Sequence, residues 1–259
     1  MKVIKEKRFI AALNRNAYLY IGLPNDYEQT NQSYPVLYMH DGQNVFFESD
    51  AFIGKTWEVK EAYESDSSLP KLIIVALSSA EGDERLNEYG PFAFDTEFLS
   101  ETGNQNFGGQ GDKYLKYLVN ELKPEIDRTY RTINDPNLTS IMGASMGGVI
   151  SLYAALKYPD TFRLVASLSG SFFVSQRPII ELIKKTSLKD IQKIYMDTGD
   201  AEDTSGEEVY YIVSNLEIFE TLKKKISNQK LEFQLISEGK HSEVDWAKRF
   251  PKIIKTLYP

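Results

Sequence analysis

The residues Gly143-Ala144-Ser145-Met146-Gly147 have the types and spacing of a nucleophile turn. They fit G-x-S-x-G, a strand-to-helix turn that lifts a serine hydroxyl clear of its neighbours. The flanks suit such a turn. The run 138–142 reads as a strand and the run 149–156 as a helix. A serine hydroxyl is a weak nucleophile until a base takes its proton. The chain has two histidines, His40 and His241. His40 precedes the serine and ends a predicted strand. His241 lies between the run 231–236 and the last predicted helix, in the order serine, acid, histidine that such a turn calls for. Ser145 is therefore expected to pair with His241. The competing readings are a small-residue turn without chemistry and a surface histidine, and the context and order weigh against both.

A triad also needs a carboxylate to orient the imidazole and stabilise the imidazolium. The stretch Asp197-Thr198-Gly199-Asp200-Ala201-Glu202-Asp203 offers four. Asp197 falls inside the predicted strand 193–197, which disfavours it. Spacing past the strand ranks Glu202 first, Asp203 second and Asp200 third, the remainder serving as solvated charges or helix caps. The developing oxyanion needs backbone N–H donors. Met146, next after the serine, should supply one. Gln43, in the turn His40-Asp41-Gly42-Gln43-Asn44 after an earlier strand, should supply the other. An ordinary Asp-Gly turn is the alternative for that segment.

The elements that would hold these groups follow from hydrophobic period and punctuation. Residues 7–13 and 17–23 read as a hairpin around Asn14-Arg15-Asn16. The runs 35–40 and 72–77 are apolar and of strand length, as buried parallel strands are. Residues 113–127 read as one amphipathic helix with Pro124 as a kink or restart. Strand 138–144, helix 146–157, strand 164–168, helix 178–185, strand 193–197, helix 207–227, strand 231–236 and helix 244–257 then alternate. Such alternation predicts a mostly parallel sheet covered by helices on both faces, with the hairpin as an antiparallel edge. No linker or repeat interrupts residues 1–259, so a single domain is expected. Residues 79–110 read as a long irregular loop, a kind of segment usually tied to function. Its Arg85, Tyr89, Phe92, Phe94 and Phe107, with Trp57, could line a substrate pocket. The alternative is that the aromatics pack the loop onto the core. A structural ion pair is the favoured role for Arg85.

Composition narrows the class. With 42% hydrophobic and 26% charged residues, a well-buried core is expected. A net charge of −7 argues against nucleic acid as a partner. The absence of cysteine excludes disulfides, thiolate metal sites and cysteine nucleophiles. The first residues have no apolar stretch of the secretory kind, and no run approaches the ~18–20 residues that span a bilayer, so no membrane partner and a cytoplasmic location are expected.

The segments 34–44 (Tyr-Pro-Val-Leu-Tyr-Met-His-Asp-Gly-Gln-Asn), 143–148 (Gly-Ala-Ser-Met-Gly-Gly) and 239–241 (Gly-Lys-His) together resemble the Putative esterase family of α/β-hydrolases. That family takes in esterase D-like, siderophore, feruloyl and acetylxylan esterases and mycolyltransferases. Gly108-Gly109-Gln110-Gly111-Asp112 and Ser169-Gly170-Ser171 add to the likeness, which runs from about Arg15 to the last helix. The resemblance implies an α/β-hydrolase fold without a large separate cap and an eight-stranded sheet. It also implies Ser145 as nucleophile, His241 as base, an acid three residues past a glycine (here Glu202), and Gln43 as an oxyanion donor. It implies no metal or organic cofactor. The expected activity is hydrolysis of a small-molecule carboxylic ester through an acyl-enzyme. An acyltransferase on the same triad and a non-catalytic ligand-binding relative are its rivals.

Overall fold

The computed structural model describes residues 1–95, 107–202 and 208–259. Among them, eight strands form one sheet in the order β1-β2-β4-β3-β5-β6-β7-β8. The strands are β1 (Lys2–Ile10), β2 (Arg15–Leu23), β3 (Val36–Met39), β4 (Ile73–Leu77), β5 (Thr139–Ala144), β6 (Leu164–Leu168), β7 (Lys193–Gly199) and β8 (Leu231–Ile236). β1 pairs antiparallel with β2, and β2 antiparallel with β4. From β4 to β8 every neighbouring pair is parallel.

The strand sequences explain these places. β3 to β6 are buried along their whole length, as a sheet covered on both faces requires. β1 reads Lys-Val-Ile-Lys-Glu-Lys-Arg-Phe-Ile and is largely exposed, and charges along an edge discourage pairing with another chain. The hairpin differs from the sequence expectation of strands at 7–13 and 17–23. β1 starts at Lys2 and ends at Ile10, and a 3₁₀ turn at Ala11–Leu13 closes on Asn14 in the left-handed region (φ 52°). The charges that suit β1 to the edge hide its strand period, and asparagine tolerates that backbone.

Helices cover both faces, each over its own hydrophobic core. One face carries α3 (Gly111–Tyr117), α5 (Met146–Lys157), α6 (Gln176–Lys185) and α7 (Glu208–Lys223). The other carries α1 (Val59–Ser65) and α8 (Glu243–Leu257), the latter burying Trp246, Phe250, Ile253, Ile254 and Leu257. Nearly all of α5 is buried, so it shows no polar face.

Two expectations are corrected. The helix predicted over 113–127 is α3, a wide π turn at Leu118–Leu122, and α4 (Lys123–Thr129). Pro124 sits in the first turn of α4. Proline lacks an N–H and its ring crowds the carbonyl four residues back, and the wide turn accommodates both. The stretch 79–110 is not wholly irregular, because Asp83–Tyr89 forms α2 and Ala93 bridges Gly108. Residues 96–106 of it lie outside the described residues.

The ends of β7 and β8 and the loop carrying His241 meet at two glycines. A Cβ on Gly199 would stand 2.0 Å from the carbonyl oxygen of Gly239, closer than any real contact. Gly199→Ala should therefore push the 237–242 loop away from β7. The expected result is a loss of about 1–3 kcal/mol in urea unfolding.

Candidate active site

The turn between β5 and α5 holds Ser145 at φ 58°, ψ −127°, a region that side-chain-bearing residues occupy only under constraint. The constraint comes from hydrogen bonds on both sides. The Ser145 N–H donates to Leu168 O (2.9 Å), and the N–H groups of Gly148 (3.0 Å) and Ser171 (3.3 Å) donate to Ser145 O. The end of β5 and the start of α5 touch, since a Cβ on Gly143 would lie 2.7 Å from the Gly147 carbonyl carbon. That contact leaves no room for a side chain at position 143, while a Cβ on Gly147 would press on the His40 Cβ at 3.3 Å. The Ser145 hydroxyl lines an open cleft and shares a 3.0 Å hydrogen bond with the hydroxyl of Ser171.

His241 lines the same cleft. Its Nδ1 is 2.8 Å from Glu202 Oε2. The other oxygen of Glu202 accepts from Ser169 Oγ (2.6 Å), Thr198 Oγ1 (3.2 Å) and the Gly199 N–H. The Trp246 indole N–H in turn donates to Ser169 Oγ at 3.0 Å, so α8 reaches the carboxylate through one hydroxyl. Burial works against ionisation of Glu202, yet the bonds from His241, Ser169 and Gly199 outweigh it and hold the carboxyl below its ordinary range. An anionic partner at Nδ1 favours the tautomer with its proton there, leaving Nε2 able to accept one.

Among the rival carboxylates, Asp197 is fully buried and bonded to Tyr195 and Arg249. Asp200 accepts from the Glu238 N–H (2.6 Å), and the Ala201 N–H donates to Gly239 O (3.1 Å), so the loops carrying Glu202 and His241 are stitched together. Asp203 lies outside the described residues.

The turn after β3 faces the serine turn. Asp41 takes the left-handed conformation (φ 52°), and Gly42–Asn44 forms a 3₁₀ turn. A Cβ on Gly42 would strike the β4 backbone at Ala76, 2.6 Å away. Among the described residues, bonds that close these two turns come from the N–H groups of Asn44, Gly148 and Val149. His40 points away from the cleft, with its Nδ1 2.9 Å from the Tyr114 hydroxyl and its ring against Tyr89 and Tyr114.

The cleft is wide, about 1410 Å³, and runs from Ser145 to the β1–β2 hairpin. Trp57 and Arg85 line it, the former stacked on Trp246 with ring centroids 5.8 Å apart. Tyr89 and Phe92 do not line it. Tyr89 is fully buried and its hydroxyl accepts the Asp41 N–H, while Phe92 packs edge-on against Tyr153. Phe94 and Phe107 pack on each other. Both guanidinium contacts of Arg85 go to Asp41, at 2.7 Å each. Sequence reasoning missed Ser169, Ser171, Trp246 and Glu243. Glu243 lines the cleft and accepts from the Asn44 amide at 2.9 Å. Burial, reinforced by the Asp41 charge, raises its carboxyl above the ordinary value. Ser169 and Ser171 lay within a noted turn, but their reach depends on long-range packing. Among the described residues no group of three or more His, Cys, Asp or Glu side chains could hold a metal ion, and no helix is long and apolar enough to cross a membrane.

The sheet order and the serine turn after β5 define an α/β-hydrolase. Residues 10–257 match the model of the Putative esterase family, and the chain belongs to that family, making it a carboxylic-ester hydrolase. It is similar to the Uncharacterized protein YbbA of Bacillus subtilis (strain 168), 28% identical over 95% of this chain and 93% of that one. Among solved structures it is similar to a ferulic acid esterase, with 20% identity, TM-score 0.69 and 98% of each chain covered. It is also similar to the enterobactin esterase FES from Shigella flexneri, with 18% identity, TM-score 0.76, all of this chain and 59% of that one.

Burial holds the His40 imidazole down to about 3 from the ordinary 6.5, against the pull of the Asp41 carboxylate. The folded chain thus keeps His40 neutral where the unfolded chain would protonate it. The stability this contributes is present above pH ~6.5 and is lost as pH falls toward 3, by up to about 1.4 kcal/mol per pH unit. Urea unfolding between pH 7 and 4 should therefore be steeper in pH for the wild type than for His40→Asn, by roughly 1 kcal/mol per unit. Parallel profiles for the two proteins would show that His40 is not the group responsible.

Proposed function

We propose that the chain hydrolyses small-molecule carboxylic esters through Ser145, His241 and Glu202, with the N–H groups of Gln43 and Met146 as oxyanion donors. The observation that carries this reading is the 2.8 Å Glu202–His241 bond beside a strained serine turn in one cleft. On substrate binding the Ser145 hydroxyl exchanges its bond with Ser171 for one with His241 Nε2. Apo sites often tighten in this way when the substrate enters. Ser145 Oγ attacks the ester carbonyl while Nε2 takes its proton, and ionised Glu202 stabilises the imidazolium. The carbonyl oxygen becomes an anion between the two N–H groups. Collapse of the tetrahedral intermediate expels the alkoxide, which leaves as the alcohol with the proton from Nε2, and an acyl-serine remains. A water molecule, deprotonated by His241, then attacks the acyl carbon and releases the acid. The size of the cleft and its Trp57 and Trp246 wall suit an ester with a bulky acyl or alcohol part better than a bare acetate.

Ser145→Ala should lower kcat on p-nitrophenyl butyrate by on the order of 10³-fold or more and abolish labelling by a fluorophosphonate, with an unchanged melting temperature. Glu202→Gln keeps the shape and removes the charge, so kcat should fall by about 10²–10⁴-fold. Wild-type turnover in a folded Ser145→Ala protein would remove this assignment.

A further inference from the structure

The turn carrying Gln43 is closed by its own Asn44 N–H to Asp41 O bond (2.8 Å) and is held from outside as well. Asp41, at its start, is a non-glycine residue in the left-handed region, where its Cβ crowds the backbone. Three contacts from the segment that follows β4 hold it there. The Arg85 guanidinium grips both carboxylate oxygens of Asp41 in a bidentate pair, Nε to Oδ1 and Nη2 to Oδ2 at 2.7 Å each. The Asp41 N–H donates to the hydroxyl of Tyr89, one helical turn beyond Arg85, at 3.0 Å. The Gln43 side chain exchanges two bonds with Ser79, donating from Nε2 to Oγ (3.0 Å) and accepting the Ser79 N–H at Oε1 (3.2 Å).

The segment is itself anchored. Glu88 of α2 accepts from the Ala80 N–H and is paired through both oxygens with Arg15 of β2. The Arg85 guanidinium lies 5.1 Å from the centre of the Tyr89 ring, and Tyr89 stacks toward His40 and Tyr114. Side chains from β2, α2 and α3 therefore converge behind one turn of three residues. Bidentate arginine–carboxylate pairs fix direction as well as distance, so this one defines the orientation of the Asp41–Gly42 backbone.

We propose that Arg85 and Asp41 are positioning residues that set the direction of the Gln43 N–H, so that a salt bridge on a short helix controls how well the oxyanion is bound. The inference rests on the esterase mechanism given above. It places Arg85 outside substrate-carboxylate recognition, because Asp41 already occupies the paired edge of its guanidinium. A misdirected N–H weakens the bond to the oxyanion, which forms only on the way to the transition state, and leaves ground-state binding almost untouched.

The test uses the full chain with Arg85→Gln, Arg85→Lys and Asp41→Asn, and Ser145→Ala as the control for the mechanism. Three quantities are read: kcat and KM on p-nitrophenyl butyrate, and the inhibition constant of a trifluoromethyl ketone, whose serine adduct bears the oxyanion. Arg85→Gln should lower kcat about 10–100-fold with KM within about twofold, and should weaken the ketone by the same factor. Arg85→Lys, which keeps the charge without the fork, should lie between. Asp41→Asn combined with Arg85→Gln should cost little more than either alone, since both break one unit. Should Arg85→Gln fail to fold, Arg85→Lys and Asp41→Asn carry the same expectation. Unchanged kcat and ketone affinity in folded variants would overturn the proposal. A loss seen only as a higher KM for anionic esters would also overturn it and make Arg85 a substrate contact. Activity retained in Ser145→Ala would instead remove the mechanism beneath it, so the two failures are distinguishable.

Discussion

The backbone contact between Gly143 and Gly147 is the constraint on which the functional half of the molecule rests. A side chain at position 143 would begin only 2.7 Å from the opposing carbonyl carbon, so there is room for none. The close approach allows β5 to turn into α5 without an intervening loop, and it drives Ser145 into a backbone conformation that only surrounding hydrogen bonds can sustain. Those bonds come from the end of β6 and from the turn at 169–171. The serine turn is therefore held by the same segment that supplies Ser169 to Glu202. Nucleophile and acid, in the proposed mechanism, share one support.

Charge is handled differently on the two sides of the cleft. On one side Glu202 is buried, satisfied by three donors besides His241, and stays ionised despite its burial. On the other, Asp41 is buried and answered by the Arg85 guanidinium, with help from the Ser79 hydroxyl. Burial opposes its ionisation and Arg85 overcomes it, so its carboxyl also lies below the ordinary range. Glu243, between them, accepts from the Asn44 amide, and burial pushes it the opposite way. A buried carboxylate remains charged where donors or a cation converge on it, and tends to neutrality where they do not.

The fold was legible because its signals are local. Fully buried strands such as Ile73–Leu77 read as unbroken apolar runs, and α5 follows its glycine turn with a helix boundary that matches expectation. Scarcity and order singled out Ser145 and His241, and the structure brings both to one cleft. Glu202 was separable from Asp200 only by spacing, whereas in three dimensions the two differ sharply: one bonds the imidazole, the other ties down Glu238. The misses have a common cause. Tyr89 and Phe92, in a glycine-rich stretch, could line a pocket or pack the loop onto the core, and the sequence carries no sign of which way a side chain on α2 or just beyond it turns. Trp246 looked like one more apolar position of the last helix, and its indole N–H found Ser169 through packing between elements 77 residues apart.

The two histidines sit in contrasted surroundings. His40 is sealed among tyrosines behind the β3 turn, and His241 opens onto the cleft with a quarter of its side chain exposed. A chain with two imidazoles and no thiol is a simple spectroscopic object. In a nuclear magnetic resonance spectrum the ring signals of one report the integrity of the core, and those of the other report occupancy of the cleft. Each measurement of ligand binding thus carries its own internal reference for folding, without any added label.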